Sequence, residues 1–388
     1  MLNRFLGDEE TVSAWPGKYV IGLTGNIATG KSVVRKMLEH LGAYGIDADA
    51  LSHRAIAKDA PGYQPVIDAF GSWILTPEGQ IDRTRLGKIV FSDSEALEEL
   101  EAIIHPLVRQ AIDLLIRRAS HKVIVLEAIK LLEGPLREAC DNIWVTTTPM
   151  ETQLRRLRLK RGLSADVARQ RIAAQPPQAE KISAADVVIK NGGSFEETWK
   201  RVLDGWKTTF PEGVSEPQVP EPVEEGSLVV ERAGPRQVDE IATFITEISK
   251  GRREMSSADV MAAFGEKAFL LLKVDQRMVG LAGWQVENLV ARVSDVYLEP
   301  GLVLGEAVRV LMEAIEKASR ELQSEALLLF LPPHLGRHNA VWVALGYSTR
   351  SPQDLKINAW EEAALESMPV GTVMYFKQLR RDRVLRPV

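Results

Sequence analysis

The segment from Gly25 to Ser32 constrains this chain more than any other feature of its sequence. It fits the pattern G-x-x-x-x-G-K-[ST] and lies between an apolar run at 19–24 and a segment of helical periodicity at 33–41. A glycine-rich turn lets successive backbone N–H groups point inward without interference from Cβ atoms, and the helix that follows offers its positive N-terminus. The segment is therefore predicted to bind the phosphates of a nucleotide.

Within this loop each residue type has an expected task. Lys31 is expected to reach the β- and γ-phosphates, and Ser32 is expected to hold Mg²⁺. The preceding run at 19–24 is almost continuously apolar, as in a parallel strand that is buried on both faces. The predicted nucleotide-binding residues are Gly25, Asn26, Ile27, Ala28, Thr29, Gly30, Lys31 and Ser32.

Length and composition narrow the class of protein. A chain of 388 residues exceeds one typical hydrophobic core, so at least two domains are expected. The formal net charge of −5 argues against a nonspecific nucleic-acid binder. Cys140 is the only cysteine, which excludes an intrachain disulfide. The first fifteen residues lack the apolar core of a signal peptide and no apolar run approaches the length of a membrane span, so a cytoplasmic location is expected.

A segment rich in proline and glutamate at 211–226 divides the chain and is predicted to be an extended linker. Before it, in residues 1–210, helical segments alternate with short β-branched runs, which predicts an α/β fold with a parallel sheet covered by helices. After it, in residues 227–388, strand-like runs are interspersed with helices near 235–249, 304–321 and 338–345. That half is predicted to be α+β with a largely antiparallel sheet.

Two carboxylates follow the second predicted strand. Asp47 and Asp49 are separated by one residue, so a strand period of two would place both on one face. Ligands of open α/β sheets bind beyond the carboxyl ends of the strands, which places these acids beside the phosphate loop. One of them could orient an acceptor hydroxyl and take its proton, at a gain of about 10²–10⁴ in rate. The alternative is an acidic turn that caps a helix starting near Ala50.

A basic run at 155–161 has a helical apolar edge and is predicted to be a short helix with an exposed cationic face. Such a face is usually only solvated. In a kinase, an arginine-bearing lid can both stabilise the transferring phosphoryl group and exclude water. Arg156 and Arg161 are the preferred catalytic candidates, although the pattern does not separate them from Arg155 and Arg158.

The order and spacing of motifs across residues 18–210 strongly resemble the dephospho-coenzyme A kinase family. The motifs are G-x-x-x-x-G-K-S, Asp47-Ala48-Asp49, Ile81-Asp82-Arg83 with Phe91, His105-Pro106, Leu131-Leu132-Glu133, Thr152 to Arg156, Ala174-Gln175 and Asp186 to Gly192. The resemblance implies a P-loop kinase fold with a helical lid, which transfers phosphate from ATP to the ribose 3′-hydroxyl of dephospho-CoA. ATP and Mg²⁺ are the expected cofactors.

The resemblance also assigns residues. It implies that Asp49 is the base for the acceptor hydroxyl, that Asp47, Arg83 and the helix of His105 line the dephospho-CoA side, and that Asn191 approaches the adenine of ATP.

Two departures from the family are visible. The family usually has Pro-Leu-Leu-x-Glu where this chain has Ile129 to Glu133, and an arginine is common where this chain has Pro176-Pro177-Gln178. The second departure puts one phosphate contact in doubt, which Lys181 could replace. Neither departure touches the phosphate loop or Asp49, so an active kinase is expected.

Residues 227–382 resemble the GNAT acetyltransferase superfamily in a loop and helix at 295–307 and in a helix ending at Gly346-Tyr347. Leu302 stands where that family has Arg or Gln, Glu306 adds a negative charge, and Trp342 replaces a catalytic tyrosine. Indole cannot supply the proton that a tyrosine gives. This half is therefore expected to bind CoA or acetyl-CoA, or to be structural, rather than to transfer acetyl groups. The basic tail is expected to be solvated, with Lys377, Arg380, Arg381, Arg383 and Arg386.

Two other functions fit parts of the same pattern. One is another small-molecule P-loop kinase, such as a nucleoside monophosphate kinase. The other is a noncatalytic protein in which both halves bind nucleotides for regulation. An activity assay distinguishes the three functions. A dephospho-CoA kinase acts on dephospho-CoA, a nucleoside monophosphate kinase acts on adenylate, and a regulator binds its ligands without turnover.

Overall fold

The computed structural model describes residues 14–211, 213, 226–382 and 384–385. Nearly all of the predicted linker at 211–226 lies outside the described residues. No helix among the described residues is long and apolar enough to cross a lipid bilayer.

The first half is built on a parallel sheet whose strands follow the order β2-β3-β1-β4-β5. The strands in this part of the described chain are β1 (Tyr19–Thr24), β2 (Tyr44–Asp47), β3 (Val123–Glu127), β4 (Asn142–Thr147) and β5 (Val187–Lys190). The central strand β1 is almost entirely buried, as its apolar run predicts. Since all strands point the same way, the phosphate loop after β1 meets the ends of β2 and β3 at one edge. The predicted α/β class is confirmed.

Helices cover both faces of this sheet. They are α1 (Lys31–His40), α2 (Ala48–Ala55), α3 (Tyr63–Phe70), α4 (Arg83–Val90), α5 (Ser94–Arg118), α6 (Met150–Arg161), α7 (Ala165–Ala173), α8 (Gln178–Ser183) and α9 (Phe195–Thr209). Helix α1 buries its apolar stripe of Val34, Met37 and Leu38 against the sheet. Helix α2 begins directly after β2, and this short connection fixes where Asp49 lies.

The second half contains a mixed sheet of the order β11-β12-β10-β9-β8-β7-β6. Its described strands are β6 (Leu228–Arg232), β7 (Ala268–Val274), β8 (Arg277–Glu287), β9 (Val290–Leu298), β10 (Ala326–Leu331), β11 (Ser348–Thr349) and β12 (Val373–Gln378). Only the β9 and β10 pair is parallel among them. The predicted α+β class with a largely antiparallel sheet is confirmed.

Helices α10 and α12 pack on this second sheet, and α12 buries Val308, Leu311 and Ile315. The helices of this half are α10 (Val238–Ile248), α11 (Ser257–Ala263), α12 (Leu304–Glu321), α13 (Pro333–Gly336), α14 (Asn339–Ala344) and α15 (Asn358–Ser367). The expected helices near 235–249, 304–321 and 338–345 correspond to α10, α12 and α14. The sequence patterns did not predict α11, α13 and α15.

One hydrophobic cluster of the protein contains residues from both halves of the chain. Leu289 in the turn between β8 and β9, and Leu385 in the tail, are buried with Leu115 and Tyr44 of the first half. The expectation of a solvated tail is therefore wrong for this part of the chain, because the tail packs back onto the first half. Lys377 also donates to Glu316 at 2.6 Å, and Arg380 pairs with Asp382 at 3.1 Å. Arg383 and Arg386 lie outside the described residues.

Candidate active site

The phosphate loop is held in a backbone conformation that needs its glycines. Gly25 and Gly30 have φ angles of 148° and 90°. A Cβ atom at Gly25 would lie 2.4 Å from the Thr146 hydroxyl oxygen, and one at Gly30 would lie 1.9 Å from the Asn191 amide nitrogen. Both glycines therefore satisfy a conformational and a packing requirement. Ala28 has a φ of 59°, in the left-handed region that costs an L-residue about 1 kcal/mol or more.

Four side chains donate to carbonyl groups of the loop, and three of them come from outside it. The contacts are Lys31 Nζ to Gly25 O at 3.0 Å, Gln153 Nε2 to Ile27 O at 3.0 Å, Arg156 Nη1 to Ala28 O at 3.1 Å and Asn191 Nδ2 to Thr29 O at 2.9 Å. These contacts occupy carbonyl oxygens that would otherwise repel an anion. Helix α1 begins without a side-chain cap, so no capping side chain occupies its first N–H groups. The loop is prearranged to bind an anion.

A second set of contacts fixes the first part of the loop. Asn26 Nδ2 donates to the Pro176 carbonyl at 2.8 Å, and the N–H of Ile27 donates to Gln175 Oε1 at 2.6 Å. The Thr29 hydroxyl lies 2.7 Å from that of Thr146 at the end of the neighbouring strand β4. Gln175, which belongs to a family motif, and the backbone of Pro176, where the departure from the family begins, therefore support the loop.

Lys31 lies in the centre of the site and is only 7% exposed. Burial lowers the pKa of its ammonium group, whereas the nearby charges of Glu127 and Asp49 raise it. The amine folds back onto the Gly25 carbonyl, from which a bound phosphate could draw it away.

Glu127 joins the site although the sequence patterns did not single it out. Its carboxylate accepts from the Ser32 hydroxyl at 3.0 Å and from Arg35 Nε at 2.8 Å, and it is buried. The available signal was its position as the last residue of β3, the strand next to β1. A hydroxyl and a carboxylate are hard oxygen donors, which Mg²⁺ prefers.

The two aspartates that follow β2 have different surroundings. Strand β2 ends at Asp47, which caps α2 by accepting from the Ala50 N–H at 2.8 Å. Burial, with the negative charge of Glu127, raises the pKa of Asp47 to about 6. The expectation that a strand period of two puts both acids on one face is wrong, because the helix begins at Ala48. For Asp47 the structure shows the capping alternative.

Asp49 lies in the first turn of α2. Its Oδ2 accepts from the N–H of Ile129 at 3.1 Å, in the segment after β3. Burial raises the pKa of this carboxyl, while the charge of Lys31 and the Ile129 N–H lower it. A half-buried carboxylate that is anchored by a backbone N–H, at the edge of the sheet where the phosphate loop lies, is suited to orient an acceptor hydroxyl.

Lys181 of α8 adds a second buried cation. Its Nζ donates to the Ile129 carbonyl at 2.5 Å and lies 3.5 Å from Glu133. Its charge acts on both Lys31 and Asp49. Ile129 therefore contacts the Asp49 carboxylate through its N–H and the Lys181 amine through its carbonyl. The proposal that Lys181 replaces the phosphate contact put in doubt by the departure at 176–178 stays a prediction.

The residues of the basic run differ in position along α6. Arg156 reaches the phosphate loop and also donates to the Asn191 carbonyl at 2.9 Å, while burial lowers its pKa. Arg155 and Arg158 are exposed. Arg161 is the last residue of α6, and its side chain lies outside the described part of the structure.

Arg83 and His105 lie apart from the phosphate loop, in the helical segment between β2 and β3. Arg83 is half exposed and lies 3.8 Å from Glu362 of α15. It lines a cleft of about 220 Å³ between the halves of the chain, together with His53, Lys58, Gln80 and Asn358. His105 is exposed on α5.

The second half has an opening between two strands. Strands β9 and β10 pair from Val290 to Val293, and the continuation of β9 pairs only with β8. The opening begins at Asp295, which has a φ of 53° and forms ion pairs with Lys267 and Arg253. The edge of β9 that faces β10 is not paired with it beyond Val293, and such an edge can form hydrogen bonds with an extended ligand.

Three residues of the second half differ from those of an acetyltransferase site, and the structure shows where each one lies. Trp342 is fully buried, and its indole N–H donates to the Leu335 carbonyl at 3.0 Å, so it belongs to the core. Leu302 packs on apolar neighbours at the sheet edge. Glu306 is exposed in the first turn of α12. None of the three is a cation, and neither Leu302 nor Trp342 can transfer a proton.

Comparisons with known proteins find a family model and relatives that match the first half of the chain. A family model described as dephospho-CoA kinase matches residues 19–197. The chain is 44% identical over 195 residues to the dephospho-CoA kinase of Geobacter sulfurreducens, covering 50% of this chain and 99% of that protein. It is 46% identical over 187 residues to the dephospho-CoA kinase of Carboxydothermus hydrogenoformans, covering 47% of this chain and 91% of that protein.

Solved structures also match the second half. A GNAT-family acetyltransferase from Staphylococcus aureus covers 40% of this chain and 100% of its own length, at 14% identity and a TM-score of 0.33. The fold of this half is defined by its own strand order.

Proposed function

The chain belongs to the dephospho-CoA kinase family, and we propose that the site at the edge of its parallel sheet carries out that family's reaction with Asp49 as the base. ATP supplies the phosphoryl group and the ribose 3′-hydroxyl of dephospho-CoA accepts it. One observation carries the assignment of Asp49. Its carboxylate is anchored by the Ile129 N–H at 3.1 Å, in the first turn of the helix that starts where β2 ends, at the same edge of the sheet as the phosphate loop.

The chemistry assigned to the loop is electrostatic. Phosphoryl transfer has a loose transition state, so the protein contributes mainly by positioning the reactants and by stabilising charge. The N–H groups of the loop and the amine of Lys31 would bind the β- and γ-phosphates. Arg156, which already holds the loop, and Lys181 would offset the charge of the transferring group. Asn191, beside the loop, would face the adenine side of ATP.

The residues at this site fit a Mg²⁺ ion. The Ser32 hydroxyl and the Glu127 carboxylate are neighbours at 3.0 Å, and both are oxygen ligands. The described residues contain no cluster of three or more His, Cys, Asp or Glu side chains that could hold a metal alone. That suits Mg²⁺, which is usually bound by one or two protein groups together with substrate phosphates. When bound, the ion would neutralise charge on the phosphates.

Arg83, His105 and Asp47 are proposed to line the dephospho-CoA side. Asp47 acts there through the helix that it caps. Arg83 is the cation of this group that faces an open cleft, and dephospho-CoA carries a diphosphate that a guanidinium can bind.

The kinase assignment is tested with a coupled assay of ADP release on the full chain. We expect ADP release that depends on dephospho-CoA, and much slower release with adenylate or with water alone. Release with adenylate but not dephospho-CoA would favour a nucleoside monophosphate kinase. Binding of both ligands without turnover would favour a noncatalytic regulator.

A second function is proposed for the other half because of its opening between β9 and β10. An extended chain, such as the pantetheine arm of CoA, could lie in that opening and use the unpaired edge of β9. This half would then bind CoA or acetyl-CoA without transferring the acetyl group. Isothermal titration of the full-length Asp49→Asn variant, with its nucleotide site filled by a nonhydrolysable ATP analogue, tests this. A second CoA site is expected, and absence of heat at millimolar CoA would refute it.

A further inference from the structure

The turn between β8 and β9 packs against the kinase half beside its site. Asn288 and Leu289 have φ angles of 51° and 61°, which form the tight hairpin turn that carries Leu289 into the shared core. The turn closes one side of a cavity of about 180 Å³ whose other walls include Ser32 and Asp47. The second half of the chain therefore reaches the immediate surroundings of the phosphate loop.

A buried ion pair links the same turn to helix α2. Arg54 is 7% exposed, and its Nη2 lies 2.8 Å from Glu325 Oε2, while its Nη1 donates to the Asn288 carbonyl at 2.5 Å. Glu325 is fully buried and is itself fixed, since its Oε1 accepts from the Val384 N–H at 3.1 Å and its N–H donates to Leu289 O at 2.7 Å. Glu325 and the turn at Asn288, both in the second half, thus bind Arg54 at the C-terminal end of α2.

Helix α2, which carries Arg54, also carries Asp49. Helix α2 has eight residues, about 12 Å in length, and Asp49 lies in its first turn while Arg54 lies in its last. The first turn is held by the Asp47 cap, by the Ile129 N–H and by the burial of Ala48 and Leu51 in the core. In so short a rigid helix, a shift at one end moves the other. A misplacement of about 1 Å at a reacting group can cost about 10²-fold in rate.

We propose that Arg54 is a positioning residue for phosphoryl transfer and that Glu325 is its anchor, so that the second half of the chain is part of the kinase machinery. This inference rests on the proposed role of Asp49. Neither residue touches the phosphate loop. Loss of the pair should therefore lower kcat and leave ATP binding unchanged, which a general loss of folded protein would not do.

The test uses full-length variants at the two positions. Arg54→Met leaves Glu325 buried without its charged partner and can destabilise the fold. The double variant Arg54→Met/Glu325→Gln removes both charges and avoids this. Arg54→Lys keeps the charge. The control is Arg118→Met, which breaks an ion pair of 2.7 Å between Arg118 of α5 and Asp382 of the tail, across the same two halves but away from α2.

Three quantities are measured on each variant: kcat, the Kd for ATP and the folded fraction by circular dichroism. The double variant is expected to lose about 10-fold or more in kcat, with a Kd for ATP within about twofold of the unaltered protein. Arg54→Lys should recover most of the lost kcat, and Arg118→Met should not change it.

The proposal is overturned if the folded double variant keeps its kcat, if kcat and ATP binding fall together with the folded fraction, or if Arg118→Met has the same effect. Failure of the unaltered chain to phosphorylate dephospho-CoA would instead refute the proposed function, and this inference with it.

Discussion

The loop before α1 and the loop before α12 have similar backbone arrangements but different side chains. Both follow a strand, both contain a glycine with positive φ and both lead into a helix without a side-chain cap, at α1 and at α12. Helix α1 begins with Lys31 and Ser32, whereas α12 begins with Leu304 and Gly305 and has Glu306 in its first turn. The two loops therefore share a backbone arrangement but differ in charge, and the cation of the first loop is expected to make it the stronger phosphate site.

The largest expected effect removes the cation of the first loop. Lys31→Ala should lower kcat for ADP release by at least about 10³-fold, because the N–H groups that remain lack the charge that binds the transferring phosphoryl group. Lys200→Ala, an exposed lysine of α9, is the control and should leave kcat unchanged. If Lys31→Ala kept most of its activity, the two loops would differ less than their residues indicate.

The two aspartates after β2 give the next effect. Asp49→Asn should lower kcat by about 10²-fold or more, with little change in the Kd for ATP, because the amide cannot accept the proton of the acceptor hydroxyl. Asp47→Asn is the matched control, since asparagine also caps helices and should preserve α2. An equal loss in both variants would contradict a catalytic role that is specific to Asp49.

Asp47→Asn also makes a prediction about stability. The pKa of Asp47 is raised from 3.8 to about 6 in the folded protein, so the folded state binds this proton more tightly than the unfolded state. Stability from this group is present below pH 4 and is lost as the pH rises towards 6. The variant should therefore gain up to about 3 kcal/mol over the unaltered protein at pH 7.5 and gain nothing near pH 4. Thermal unfolding at both pH values measures this.

The ties that prearrange the first loop can be cut individually. Arg156→Gln removes a cation and its hydrogen bond to the Ala28 carbonyl, and should lower kcat/KM for ATP by about 10- to 100-fold. Arg155→Gln alters the exposed neighbour and should change it by less than about threefold. Equal effects would mean that the lid acts through its overall charge.

A smaller effect is expected at Ile129. Ile129→Pro removes the N–H that stabilises the ionised form of Asp49, so the pKa of that carboxyl should rise further. The acid limb of the kcat/KM profile should move to higher pH by about half a unit to one unit. Ile129→Val keeps the N–H and should leave the profile in place. A shift to lower pH would contradict this contact.

Features that depend on neighbouring residues could be predicted from the sequence, whereas features that depend on distant parts of the chain could not. The glycine turn that leads into a helix could be predicted because its glycines, Lys31 and Ser32 form one local pattern, whereas the binding role of these residues stays a prediction. Glu127 was missed because its role depends on β3 lying next to β1. The period-two argument for Asp47 and Asp49 failed because the strand ends at Asp47.

The contact between the halves was beyond the sequence patterns. Arg35, Lys36 and Glu39 lie off the apolar stripe of α1, as on an exposed helix face, yet they are largely buried. Lys36 donates to the Val286 carbonyl of the second half at 2.9 Å. Long-range burial of this kind has no local sequence signature.

The most direct test follows the phosphoryl group itself. The full chain is incubated with ATP and dephospho-CoA, and the product is examined by ³¹P NMR and mass spectrometry. The prediction is a new phosphate monoester on the ribose 3′-oxygen of dephospho-CoA, formed by the unaltered protein and at least about 10²-fold more slowly by Asp49→Asn. A product phosphorylated elsewhere, or an Asp49→Asn variant as fast as the unaltered protein, would contradict the account.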